Sequence, residues 1–180
     1  MKVTQTLLGF FVLLFSLSCS SELDFDQVNN LELRPVVVAN LSSFDVVANK
    51  LVINGTEQPI SIDTPDVGVF NSSFLKDNLI KANLSFEVNN TINRAFTLQL
   101  LFLNAANIPL TTIQMNIPAY DGTANQTNLT QTFEGTNLNL LNQTKKIGFV
   151  VALLPGPILT SSSVGNLKLR SSVTAYFDIK

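Results

Sequence analysis

With 180 residues, 46% of them hydrophobic and only 13% charged, the chain can bury the core of one ordinary domain and has a composition opposite to that of a disordered protein. Its net charge is −2 and its basic residues are scattered, Lys145–Lys146 being the one adjacent pair, so neither a nucleic acid nor an anionic membrane surface finds a basic face. There is no histidine and one cysteine, Cys19, which excludes Ser–His–Asp and Cys–His catalysis, zinc sites built on His and Cys, and a disulfide within the domain.

At the start of the chain, Met1–Thr6 carries one positive side chain, Lys2. Leu7–Leu17 follows, apolar except for Gly9 and Ser16. A spanning helix needs ~20 apolar residues, so this run is too short to cross a bilayer. A basic start, a short apolar centre and small residues at its end describe a secretory signal peptide over residues 1–18.

The segment Ser16-Leu17-Ser18-Cys19 resembles the lipobox of bacterial lipoproteins, with Ser16 where that family usually has leucine. The resemblance implies cleavage between Ser18 and Cys19 and a lipid on the Cys19 sulfur, making the membrane a partner through a lipid anchor. Several acyl chains at ~0.8 kcal/mol per buried CH₂ hold such a protein on the membrane effectively permanently. Residues 19–30 then read as the lipidated cysteine and a polar tether. Its Ser20-Ser21-Glu22-Leu23-Asp24-Phe25-Asp26 looks like the acidic export signals of surface-exposed lipoproteins in Bacteroidota. That implies an outer-membrane, surface-exposed location; a soluble secreted protein is the alternative.

Residues 31–180 form the folded domain, and their hydrophobic period is mostly two. "RPVVVANLSSFDVV" and "KLVING" supply the first strands. Ser72–Leu79 reads as two helical turns with Asn71 as N-cap and Leu75 and Leu79 four apart. Leu84-Ser85-Phe86-Glu87-Val88 alternates as a strand. Asn89–Arg94 is a turn-forming stretch, and Phe96, Leu98, Leu100 and Phe102 share one face of the next strand. "IPLTTIQMNIP" completes a second hairpin. "TNLNLLNQTKK" is a second short helix with Leu138 and Leu141 on one side. "IGFVVALLPGP" reads as a central strand buried on both faces. In "LKLRSSVTAYFDIK", Leu167, Leu169, Val173, Ala175, Phe177 and Ile179 point one way, and Lys168, Arg170, Ser172, Thr174, Tyr176 and Asp178 the other.

The elements predict an all-β protein, a single antiparallel β-sandwich or small barrel with one or two short helices as lids. The hairpin-rich centre resembles Ig-like and fibronectin-like sandwiches. "LSFEVNNTINRAFTLQLLFLN" is similar to the LEA14-type sandwich, in which a strand, an Asn-containing turn and a second strand recur.

No catalytic residue is assigned. Acid–base chemistry would fall to a pair among Glu32, Asp45, Glu57, Asp63, Asp66, Asp77, Glu87, Asp121, Glu134 and Asp178, and most of these adjoin turn residues, where Asp orders loops. Asp63-Thr64-Pro65-Asp66 and Ala119-Tyr120-Asp121-Gly122 offer oxygens to a calcium ion, but without EF-hand spacing, and turn chemistry accounts for both. No metal or cofactor is expected, and Gly148, Gly156 and Gly165 are too isolated to form a phosphate loop. Tyr120, in a loop, and Tyr176, on the polar face of the last strand, are the candidate ligand-binding residues, because exposed aromatics stack on sugars.

Asn-x-Ser/Thr occurs at Asn40, Asn54, Asn71, Asn83, Asn89, Asn125, Asn128 and Asn142. The excess reads as turn and edge chemistry, with a glycoprotein as the alternative. Taken together, the sequence favours a non-catalytic, lipid-anchored accessory subunit or binding module docking on an outer-membrane β-barrel or another envelope protein. The alternatives are a lipid-anchored enzyme using a carboxylate pair on surface glycans and a freestanding adhesin or structural protein. Converging carboxylates would mark the first, an exposed edge strand or apolar patch the second.

Overall fold

The computed structural model describes residues 32–63, 72–123 and 125–180, with Leu33–Ile179 forming one compact unit. Residues 1–31, where the sequence leads one to expect a signal peptide (1–18) and, from Cys19 to residue 30, a lipidated tether, lie outside the described residues. Among the described residues there are ten strands: β1 Val36–Val47, β2 Val52–Ile53, β3 Thr56–Glu57, β4 Ile60–Asp63, β5 Leu79–Asn90, β6 Phe96–Leu103, β7 Pro109–Ile117, β8 Asn125–Glu134, β9 Lys146–Leu153 and β10 Asn166–Phe177, the longer ones built on alternating side chains. Two short helices are α1, Ser73–Asn78, and α2, Leu138–Gln143.

The protein is an antiparallel β-sandwich. One sheet has the order β1-β10-β5-β8 and the other β4-β9-β6-β7, while β2 and β3 form a small separate hairpin. The eight strands of the two sheets pair first with last: β1 with β10, β4 with β9, β5 with β8 and β6 with β7. This nesting, a long hairpin folded over into two sheets, is the strand order of a jelly roll. The sandwich expected from the sequence is present. The Ig-like, fibronectin-like or LEA14-like arrangement gives way to this order, because alternation shows which residues face inward but not which distant strand a strand pairs with.

The stretch after β5 illustrates the difference. It was expected to close a hairpin with β6, but β5 and β6 lie in different sheets, so Thr91–Ala95 is an arch between them. Buried Asn90 holds the arch: its amide donates to the carbonyls of Arg94 and Pro118, each at 2.8 Å, and its Oδ1 accepts from the Ile92 N–H at 2.9 Å.

Between the sheets, Leu84, Phe86 and Val88 of β5 meet Phe96, Leu98, Leu100 and Phe102 of β6, Phe149 and Val151 of β9, and Leu167 and Leu169 of β10. Each such side chain contributes about 1.5–3 kcal/mol by leaving water. Phe44 packs edge-on against Phe149 with ring centroids 5.7 Å apart, and Phe102 lies 5.5 Å from Phe133. β9 is central, between β4 and β6, but its two faces differ: Ile147, Phe149 and Val151 are buried, while Val150 and Ala152 on the outer face are only half-buried.

Both predicted helices form. The cap of α1 is Ser72, whose Oγ accepts from the Leu75 N–H at 3.3 Å, rather than Asn71, which lies outside the described residues. No helix among the described residues is long and apolar enough to cross a membrane.

Candidate binding surface

The period-two pattern of β10, β5, β8 and the first part of β1 puts a second set of side chains on the outer face of their sheet. Register aligns them in cross-strand rows. Tyr176 lies beside Val36, Lys81 and Glu134, Thr174 beside Val38, Asn83 and Thr132, and Ser172 beside Asn40, Ser85 and Thr130. Next come Arg170, Glu87 and Asn128, then Asp45, Lys168, Asn89 and Gln126. Hydroxyl and amide groups dominate the middle rows, and neighbours bond on this face: across strands Thr132 Oγ1 donates to Asn83 Oδ1 at 3.0 Å, and along β8 Gln126 Nε2 donates to Asn128 Oδ1 at 3.1 Å.

Charges on this face come in opposite pairs. Lys168 Nζ lies 3.2 Å from Asp45, and Lys81 Nζ 3.5 Å from Glu134. Arg170 stands opposite Glu87, and neither side chain is committed to a hydrogen bond or ion pair among the described residues. Because Ser85, Ser172 and Asn40 are short and their neighbours long, the surface dips here into an open depression of about 340 Å³. Asn128, Thr130, Arg170 and Glu87 complete its wall.

Beside it β1 bulges between Asn40 and Ser43, and the bulge is pinned from the inner face. Ser171 Oγ accepts from the Ser42 N–H at 3.0 Å and donates to the Ser42 carbonyl at 2.8 Å. Ser171 thus breaks the apolar run Leu169–Val173 for a reason that β10 alone does not reveal.

This face also accounts for much of the Asn-x-Ser/Thr excess. Residues i and i+2 share a strand face, so Asn83 with Ser85 and Asn128 with Thr130 are ladder residues, and Asn40 and Asn89 stand on the same face. The turn reading holds for Asn54, at φ 52° in the β2–β3 turn, and for Asn125, whose amide donates to the Ala119 carbonyl at 3.1 Å. Asn142 is in α2, and Asn71 lies outside the described residues.

The two candidate tyrosines are not brought together. Tyr176 is on the outer sheet face with Lys81 Nζ 5.9 Å from its ring centroid. Tyr120 sits in the loop after β7, donates to the Gly122 carbonyl at 3.2 Å, and lines a separate groove with Ile92, Pro157–Thr160 and Ser162–Val164.

Several carboxylates have structural partners. Glu57 binds Arg94, Asp45 binds Lys168 and the Asn166 amide, and Asp121 accepts from the Thr123 N–H within its own turn. The depressions on the outer sheet face hold one carboxylate at most, Glu87, and the Tyr120 groove holds none; among the described residues no three His, Cys, Asp or Glu side chains gather to hold a metal. The Asp63 side chain and Asp66 lie outside the described residues.

No protein-family model and no curated protein matches the sequence. Among solved structures, a protein from Parabacteroides distasonis ATCC 8503 inferred to be secreted is 12% identical, with a TM-score of 0.44 over 64% of this chain and 36% of that one. A structure of infectious bursal disease virus, Gx strain, is 11% identical, with a TM-score of 0.39 over 83% of this chain and 37% of that one. Desmodium yellow mottle tymovirus is 11% identical, with a TM-score of 0.36 over 82% of this chain and 90% of that one. The chain spans little more than a third of the first two. These likenesses are too slight to bear on function.

Proposed function

We propose that the protein is a non-catalytic binding module, held at the cell envelope by a lipid on Cys19 and serving as an accessory subunit to an outer-membrane protein. Its ligand surface is the outer face of the β1-β10-β5-β8 sheet, and its ligand a neutral, hydroxyl-rich polymer, a surface glycan. The observation that supports this is the charge-balanced ladder of amides and hydroxyls around Arg170, Glu87 and Asn128. Each cation there has a carboxylate beside or opposite it, so an anionic polymer gains no net attraction. Amides and hydroxyls both donate and accept, as sugar hydroxyls do. Arg170 and Tyr176 are six residues apart along β10, or ~20 Å at the rise of a strand, so a ligand reaching from the depression to the Tyr176 ring would be an extended chain.

The full lipidated chain, purified in mild detergent, should be retained on an array of neutral polysaccharides and not on uronate-rich or sulfated ones. Arg170→Ala should weaken retention at least ~10-fold, the loss of one charge-assisted hydrogen bond. Absence of binding to any polysaccharide, or binding indifferent to Arg170→Ala and Asn128→Ala, overturns the ligand assignment. Mass spectrometry of co-purifying proteins tests the subunit role separately: a stoichiometric outer-membrane partner is expected, and purification alone counts against it.

A further inference from the structure

The edge of the same sheet has a different character. Among the described residues β1 is paired only on its β10 side, so alternate N–H and C=O groups along it point away from the sheet. Edge strands are usually protected by charge, proline, a bulge or a covering loop. Pro35 precedes β1, and the bulge comes only after Asn40. Between them Val36–Asn40 is uninterrupted, uncharged and exposed throughout, with Val36 56%, Val37 49% and Val38 69% accessible. β8, the opposite edge of this sheet, carries Asn, Gln and Thr instead.

We infer that this edge pairs with the same edge of a second copy of the chain, antiparallel across a two-fold axis through Val38. An unsatisfied strand edge selects an extended strand as its occupant. Val36 to Asn40 carries no charge, so the segment meets its own copy without like-charge repulsion and complements itself. Antiparallel self-pairing requires one residue to face its own copy, since side chains opposite one another must share a face. The midpoint of the free stretch, and its most exposed residue, is Val38. Val38 then packs on Val38 of the copy, Val36 on Asn40 and Val37 on Ala39, and no like charges meet. An axis perpendicular to the sheet keeps both outer faces on one side. The dimer therefore carries an eight-stranded sheet with its two polar faces on one side, flanking a seam of Val36 and Val38, a geometry suited to avidity on a long ligand, although the pairing does not depend on what that ligand is.

The test is sedimentation velocity on the full chain in mild detergent, with circular dichroism to confirm folding. The wild type should sediment as a dimer. Val38→Lys and Val38→Glu should each raise the dimer dissociation constant at least ~10-fold, because like charges face each other at the axis. Mixing the two variants should restore a one-to-one dimer. A second measurement uses Val38→Cys: residues opposite one another across paired strands lie within disulfide reach, so oxidation should give a covalent dimer, which Val47→Cys, at the far end of β1, should not. A monomeric wild type, or a dimer that persists unchanged in Val38→Lys, overturns the proposal.

Discussion

Arg94 and Glu57, thirty-seven positions apart, meet through Nη2 and Oε2 at 3.0 Å, with the Arg94 side chain only 7% exposed. The same guanidinium donates to the carbonyls of Gly156 and Pro157, and the other Glu57 oxygen accepts from the Leu159 N–H at 2.7 Å. One ion pair therefore ties the β2–β3 hairpin, the Thr91–Ala95 arch and the loop after β9. Removing Glu57 leaves a buried guanidinium without its counter-ion. Glu57→Ala should cost roughly 3 kcal/mol in urea unfolding, the low end for breaking a buried pair because Glu57 itself is partly hydrated. A loss below ~1 kcal/mol would show the pair to be incidental.

Gly165, just before β10, has φ +97°, and a Cβ there would lie 2.2 Å from the Thr91 carbonyl oxygen. The close approach allows the Thr91 hydroxyl to donate to Asn166 Oδ1 at 2.8 Å while accepting from the Asn166 N–H at 2.8 Å. Gly165→Ala combines a backbone conformation unfavourable to L side chains with a clash against main chain. It should destabilise by about 3 kcal/mol, lowering Tm by roughly 6–12 °C for a chain of this size. Thermal melts decide the matter directly.

Much of this fold was legible locally, and the exceptions share a cause. Leu84, Phe86 and Val88, the Phe96–Phe102 series and the C-terminal alternation all reported burial correctly, because a two-residue period is a property of one strand. Whether β5 closes on β6 or arches over to the other sheet depends on partners more than thirty residues away. The Asn90 side chain that holds the arch looks like any other asparagine in a turn-rich stretch. The same holds on the surface: alternation placed Arg170 and Tyr176 outward. Only register aligned Arg170 with Glu87 and Asn128, and only register turned the Asn-x-Ser/Thr pairs of β5 and β8 into one face.

The proposed lipid anchor makes its own prediction. Cys19→Ala should abolish labelling by radioactive fatty acid and release the protein from the membrane fraction, since the run Leu7–Leu17 is too short to hold it there. Membrane association unchanged in that variant would overturn the lipid anchor.

Arg170 and its neighbour Ser171 separate ligand binding from stability. Arg170 points outward and is exposed, while Ser171 points inward and is buried. Arg170→Ala removes no internal partner, so Tm should stay within about 1–2 °C of the wild type, since surface substitutions cost at most about 0.5 kcal/mol, while polysaccharide retention falls. Ser171→Ala leaves the Ser42 N–H and carbonyl at the bulge without the hydroxyl that both engage. It should cost about 1–3 kcal/mol, the range for stranding a buried polar group. Retention by the fraction that remains folded should change less than for Arg170→Ala. If instead Arg170→Ala lowered Tm by as much as Ser171→Ala, Arg170 would be a structural residue and the outer face would lose its claim as the ligand surface.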